Sequence, residues 1–296
     1  MIERWRAEPA APETYRLAEG PVWDGPRNRL LWVEIEAGAV HAGRLTASGV
    51  ERTDTIVADR TAGAVAVGHS GELLVAGTES LLVIGPDGAV TPGPRLLPAG
   101  GGRRLNDGRC DPDGVFLVGS LRFDEPSNAF SRSAAEPPEQ PGGEELFRVG
   151  PDRAVTTIDQ GLSLSNGLGW SPDGSLFYNI DTTPGLVYVR DRGGERQVLL
   201  DLDVSPDGMC VDADGNLWIA IYGAGEVRRY TPSGELTGVV SVDEPEVTCP
   251  AFVGPGLDRL LITTRPRLFL ADVGVVGLPV TPWAGFHGPD STDTPL

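Results

Sequence analysis

The stretch Leu164-Ser165-Asn166-Gly167-Leu168-Gly169-Trp170-Ser171-Pro172-Asp173-Gly174-Ser175-Leu176-Phe177-Tyr178 decides the fold. An apolar, strand-like run carries a polar Asn-Gly at its start. A Ser-Pro-Asp-Gly turn closes it, and a second apolar strand follows. The pattern returns along the chain with its polar residue in the same place. Asn106 lies ten residues before Phe116, Asn166 ten before Leu176 and Asp207 ten before Leu217. These residues are expected to point at one shared site on the axis of a ring.

Aligning the apolar residue after each turn gives Leu30, Leu73, Phe116, Leu176, Leu217 and Leu260, at spacings of 43, 43, 60, 41 and 43. A period of about 42 residues matches a four-stranded propeller blade. The expected fold is therefore all-β, a six-bladed β-propeller with a central metal site, spanning residues 1–296 as one domain. A pair of β-sandwiches is the alternative, but it gives no reason for a constant period. The long interval comes from an insertion over 122–142, with Pro126, Pro137, Pro138 and Pro141. It reads either as a lid or wall over one face or as a disordered surface loop. The strand-like segment 273–280, paired with 13–17, is expected to close the ring and remove an exposed sheet edge. Residues 286–296 read as a loose tail.

Composition narrows the function. Lys and Arg number 24 against 42 Asp and Glu, a net charge of −18, which disfavours a polyanionic partner such as nucleic acid. No apolar run reaches membrane length, and residues 1–8 lack a signal-peptide core, so a cytoplasmic protein is expected. Cys110, Cys210 and Cys249 are widely spaced, with no CxxC pair, and read as buried small residues. His41, His69 and His287 lack any helper pattern. There is no Gly-x-Ser-x-Gly elbow, dinucleotide fingerprint or phosphate loop.

In a propeller the first strand of each blade lines the channel, so one offset means one height around it. Ten residues before the anchors stand Gly20, Gly63, Asn106, Asn166, Asp207 and Pro250, with Glu19 one residue from its slot and Thr248 two. Glu19, Asn106, Asn166 and Asp207 thus make an oxygen-rich cage for a hard divalent cation. A cation also relieves the repulsion of two buried carboxylates. Asn-Gly and Asp-Gly are strong hairpin dipeptides, and any one alone is most simply a turn. Here each heads an apolar strand, and the aligned glycine eight residues on already supplies the turn. Glu34, Asp124, Asp181 and Tyr222, at the ends of the second strands, return to the same face. Arg104 lies two residues before Asn106 and projects to the same side of a strand, in place to hold an anionic or hydroxyl-rich ligand. An ordinary surface arginine is the plain alternative.

Four motifs carry a resemblance: Glu19-Gly20-Pro21-Val22-Trp23, Arg104-Leu105-Asn106-Asp107-Gly108, Ser165-Asn166-Gly167-Leu168 and Pro206-Asp207-Gly208-Met209-Cys210-Val211-Asp212. With Thr248-Cys249-Pro250-Ala251-Phe252 and the 274–285 run, they resemble the SMP-30/gluconolactonase/regucalcin family over nearly the whole chain and in its order. The resemblance implies a six-bladed propeller with one divalent metal (Ca, Zn, Mn or Mg) in the channel. By motif, Glu19, Asn166 and Asp207 match metal ligands; in a metal-assisted ring opening Asp207 is the expected general base, provided one of its oxygens is free of the metal. Arg104 and Asn106 match substrate-holding residues. Asp124 aligns with a position that is often Glu and contacts sugar hydroxyls; the shorter side chain and the insertion after it depart from the family. The implied activity is metal-dependent opening of a sugar (aldono-) lactone by a monomer or weak homo-oligomer, with neither nucleic acid nor membrane as partner. Two other functions fit the same scaffold: a calcium-binding regulatory propeller without catalysis, and a metal-dependent esterase or phosphotriesterase-like hydrolase.

Overall fold

The computed structural model describes residues 1–123 and 143–287. Its strands form six sheets arranged as the blades of a β-propeller. The inner strands are Ala18–Asp24, Ala64–Val67, Arg103–Cys110, Ser165–Trp170, Ser205–Val211 and Val247–Val253. The second strands are Arg29–Glu34, Leu73–Ala76, Phe116–Arg122, Leu176–Asp181, Leu217–Tyr222 and Arg259–Thr264. Each begins at or one residue before the sequence anchor, so the repeat register carries over into the fold.

Burial explains the text of the strands. A second strand lies between two neighbouring blades and is covered on both faces, so Leu30 to Val33 and Leu217 to Ile221 are continuous apolar runs. Outer strands such as Gly49–Val57 are largely exposed and carry charge. The turns between first and second strands repeat one device. Asp212 accepts hydrogen bonds from the amides of Asp214 (3.0 Å) and Asn216 (2.8 Å), and Asp111 does the same for Asp113 and Val115. The glycine that ends such a turn is left-handed, with φ of 69° at Gly174 and 87° at Gly215.

Ring closure differs from the sequence expectation. The 273–280 segment is not a strand, and 13–17 is not its partner. Instead Glu8–Pro9 pairs antiparallel with Leu268–Ala271 and supplies the fourth strand of blade six. Glu3–Arg6 adds a fifth strand to blade five, parallel to Leu236–Ser241. The N-terminal strands have no apolar alternation; pairing holds them together with Trp5, which packs on Trp218 with ring centres 5.5 Å apart, and the buried Ala7 and Ala10.

The 272–287 segment forms a strap across the end of the ring that carries the first-to-second-strand turns. Ala213 donates to the Val276 carbonyl, Gly277 to Leu257 and Ala284 to Gly114. Trp283 bridges to Gly68 and is buried at 3% exposure against blades two and three. Phe286 packs edge-on against Trp283, and the His287 amide bonds to Pro151. Residues 286 and 287 are therefore tied down, and the rest of the expected tail lies outside the described residues. Trp283→Ala should cost about 3–5 kcal/mol of stability. Urea unfolding reads this, and an unchanged midpoint would mean that the strap adds nothing to the ring.

Candidate active site

Five of the six inner strands break register where the recurring polar residue stands. Each break is a β-bulge of one extra residue. Asn106 and Asp107 together face the single residue Gly119, Asp207 and Gly208 face Ala220, and Gly20 and Pro21 face Trp32. Gly167 is the extra residue in blade four, and Thr248 in blade six. A bulge turns a side chain out of the strict alternation of a strand. In blade one it sets Glu19 one residue ahead of the common slot, beside a left-handed Gly20 (φ 53°).

Glycine permits the close approach of these strands. A Cβ on Gly167 would sit 2.7 Å from the Asp207 carbonyl oxygen, and one on Gly63 would sit 2.7 Å from the carbonyls of Leu105 and Asn106. Blade two thus contributes no side chain to the ring and makes room for blade three.

Glu19, Arg104, Asn106, Asn166 and Asp207 meet at the end of the channel where the inner strands begin, and all are buried. Arg104 donates from Nη1 to Asn106 Oδ1 (2.8 Å) and to the Leu105 carbonyl (2.9 Å). Asn106 donates from Nδ2 to Asn166 Oδ1 (2.7 Å) and to the Ser165 carbonyl (2.9 Å). Asn166 donates from Nδ2 to Thr182 Oγ1 (2.9 Å), which donates in turn to the Pro206 carbonyl (2.7 Å). Arg104 Nε is buried with no hydrogen-bond partner among the described residues. The Arg104 guanidinium lies 5.8 Å from the Phe123 ring centre, and that of Arg60 lies 5.6 Å from it.

The electrostatics are those of crowded acids. Burial, then the charges of Asp207 and Asp107, hold the Glu19 carboxyl well above the ordinary carboxylate range. Burial, then Asp107, does the same to Asp207, against the pull of Arg104. Asp107 is pushed up to about 6 by burial, with Arg109 opposing. Burial lowers Arg104 to about 10, so it stays charged at neutral pH beside the acids. The oxygen donors of Glu19, Asn166 and Asp207 suit a hard divalent cation, whose charge would relieve this repulsion. Among the described residues no three His, Cys, Asp or Glu side chains form a metal-holding group; a third oxygen donor beside Glu19 and Asp207 could come from the Asn166 amide.

The other sequence candidates fasten loops. Glu34 accepts from the Arg16 amide (2.9 Å) and faces His41 Nε2 (3.1 Å). Asp181 accepts from the amides of Ser163 and Leu164, and the Tyr222 hydroxyl bonds to Glu246. Thr248 directs its hydroxyl at the Ala18 carbonyl and Thr263. Asp124, and the 122–142 insertion from residue 124 onward, lie outside the described residues. The insertion's two ends, Arg122 and Glu144, stand on the face of the candidate site. Asp107, Phe123 and Thr182 join the neighbourhood without having been singled out from sequence. Asp107 was visible in its motif, but strand alternation places it opposite Asn106, and only the bulge brings it round.

Toward the strap, the channel widens into a cavity of about 290 Å³ lined by Asp107, Arg109 and the thiols of Cys110, Cys210 and Cys249. All three cysteines are free and buried, as expected, and burial pushes the Cys210 thiol up to about 12. Among the described residues no helix is long and apolar enough to cross a membrane.

A propeller whose inner strands bulge to gather buried oxygen donors at one channel mouth is the class of molecule defined here. The family model described as SMP-30/Gluconolactonase/LRE-like region matches residues 17–265, and the chain belongs to that family. It is 32% identical to a pentonolactonase of Haloferax volcanii, covering 84% of this chain and 81% of the relative. It is 27% identical to the regucalcin of Gallus gallus, covering 95% and 99%. A solved calcium-binding regucalcin from Agrobacterium tumefaciens has the same fold, with a TM-score of 0.82, 23% identity and coverage of 96% and 99%.

The folded values of Glu19, Asp107 and Asp207 lie above the ordinary ones. Their contribution to stability is therefore full at acid pH and lost as pH rises through the folded values, about 6 for Asp107. In chelator-treated protein at about pH 8, Glu19→Gln should melt above the wild type, by roughly 2–4 °C for each ~1 kcal/mol of repulsion removed. The gap should close toward about pH 4, where the carboxyl is protonated anyway. Melting curves across pH read this, and a variant less stable at every pH would refute the repulsion.

Proposed function

We propose that the protein is a metal-dependent lactonase that opens a sugar lactone to its aldonic acid, with Glu19, Asn166 and Asp207 holding one divalent cation. The observation that carries this reading is the convergence of two buried acids of suppressed acidity, two amides and a buried guanidinium at one channel mouth. Kinship with a pentonolactonase supports a sugar lactone as the substrate class. Ca, Zn, Mn and Mg all suit a site of this donor type. When bound, the cation supplies Lewis-acid stabilisation of the oxyanion and lowers the pKa of a water.

The chain's own groups do the rest. Asp207 takes a proton from the attacking water as general base, a role that requires one of its oxygens to be free of the cation. The water oxygen bonds to the lactone carbonyl carbon, the ring C–O bond breaks, and the ring oxygen leaves as a hydroxyl after taking a proton back. Arg104 and Asn106 orient the sugar hydroxyls, with Arg104 Nε as the donor still available. Asp124, at the start of the insertion, is the remaining candidate for a hydroxyl contact. Burial keeps these donors in a low dielectric, where each is worth more than in water.

The reading makes this a cytoplasmic, monomeric or weakly associated enzyme of small-molecule substrates. Its test is acid release in weak buffer from pentono- and hexonolactones, using chelator-treated protein with Ca, Mn, Zn or Mg restored singly. Turnover should require a cation, and Asp207→Asn should lower it by about 10²–10⁴-fold. Cation binding without turnover of any lactone, organophosphate or aryl ester would leave a regulatory calcium-binding role instead. Turnover of the esters alone would make it an esterase or phosphotriesterase-like hydrolase.

A further inference from the structure

The amides of Asn106 and Asn166 sit in a hydrogen-bond chain that runs in one direction only. Its first member, Arg104, is a guanidinium and can only donate. Its last is the Pro206 carbonyl, which can only accept. Between them the polarity of each link is forced. Asn106 must turn its amino group to the Ser165 carbonyl (2.9 Å), which leaves its Oδ1 for Arg104. Thr182 spends its one proton on the Pro206 carbonyl (2.7 Å), so toward Asn166 it can only accept. Asn166 must therefore present Nδ2 to Thr182 and turn Oδ1 the other way, into the ring. Thr182 also ties the turn after Leu176–Asp181 to the residue that precedes Asp207. One hydroxyl thus touches the side chain of one cage member and the backbone leading to another.

We propose that Thr182 is a positioning residue of the site: its committed hydroxyl anchors the Asn166 amino group while Asn106 donates to the Asn166 oxygen, and this second anchor holds the amide still enough to raise the cation affinity of the cage. This inference rests on the reading that Glu19, Asn166 and Asp207 hold a divalent cation. Thr182 does not touch the cation or the substrate; it acts through Asn166. With valine in its place the shape is kept, Asn166 Nδ2 loses its acceptor, and only the hydrogen bond from Asn106 Nδ2 to Oδ1 (2.7 Å) still orients the amide, which is then held at one end instead of two. Groups that orient metal ligands in this way typically influence affinity by 10–100-fold.

The test is calorimetric titration of chelator-treated protein with Ca and with Mn, for the wild type, Thr182→Val, Thr182→Ser, Asn166→Asp, and Thr182→Val combined with Asn166→Asp. An aspartate has two equivalent oxygens and no wrong way round, so its contribution does not depend on amide orientation. Thr182→Val should weaken binding about 10-fold or more, Thr182→Ser should restore it, and the valine penalty should shrink to about twofold in the Asn166→Asp background. Wild-type affinity in Thr182→Val, or an equal penalty in both backgrounds, would overturn the positioning role. Absence of cation binding by the wild type itself would overturn the cation reading, whatever Thr182 does. If Thr182→Val fails to fold, Thr182→Ala paired with Thr182→Ser carries the same comparison, with equal affinities refuting the role.

Discussion

Two carboxylates buried at one point set the terms for the rest of the molecule. Burying a charge is costly unless it is paired, hydrogen-bonded or neutralised. Glu19 and Asp207 repel each other, and one guanidinium, Arg104, stands against them. The surroundings look built to tolerate that conflict. Bulged strands aim the acids inward, glycines let adjacent blades close around them, and a directional chain of amides fixes the neighbouring oxygens. Each of these devices weakens a regular sheet locally. They are sustained because the second strands behind them are apolar throughout and packed on both faces.

The repeat was legible because turn chemistry is local. An Asp or Ser before a left-handed glycine needs no tertiary context, and Gly174 and Gly215 do in the fold what their sequence neighbours promise. The ring of Glu19, Asn106, Asn166 and Asp207 was legible for the same reason, since a fixed distance from a fixed turn means a fixed height. What depended on distant pairing was not. Glu8–Pro9 is two residues long and includes a proline, so nothing in its text marks it as a strand of blade six. The 273–280 segment reads as a strand because it is apolar, yet its Val276 carbonyl and Gly277 amide serve turns of two different blades. Bulges are likewise invisible to a reading by alternation, which is why Asp107 was passed over and why Glu34 and Asp181 seemed to belong to the site.

The two ends of the channel are built differently. At the candidate site the lining groups are charged or amidic, with Arg104, Asn106 and Asn166 hydrogen-bonded in sequence. Toward the strap the walls mix apolar groups and thiols with charge, Val22, Phe252 and Leu278 standing around the cavity with Asp107 and Arg109. The raised carboxyl values come first from burial of the acids themselves, which withdraws the water that would otherwise solvate the charged forms.

The N-terminal pairing has a consequence for how the chain comes to be folded at all. The N-terminal strands of the ring find their partners in its last two blades, with Glu3 opposite Gly238 and Glu8 opposite Leu270. Contacts so far apart in sequence close late and slow the approach to the native state. Until then a short segment must wait without pairing with the wrong edge. Its composition suits the wait: Glu3, Arg4, Arg6, Glu8 and Pro9 offer charge and a missing amide where a stray strand would seek an apolar, fully donating edge. The ring is thus latched last, by strands that precede the first blade and wait for the fifth and sixth.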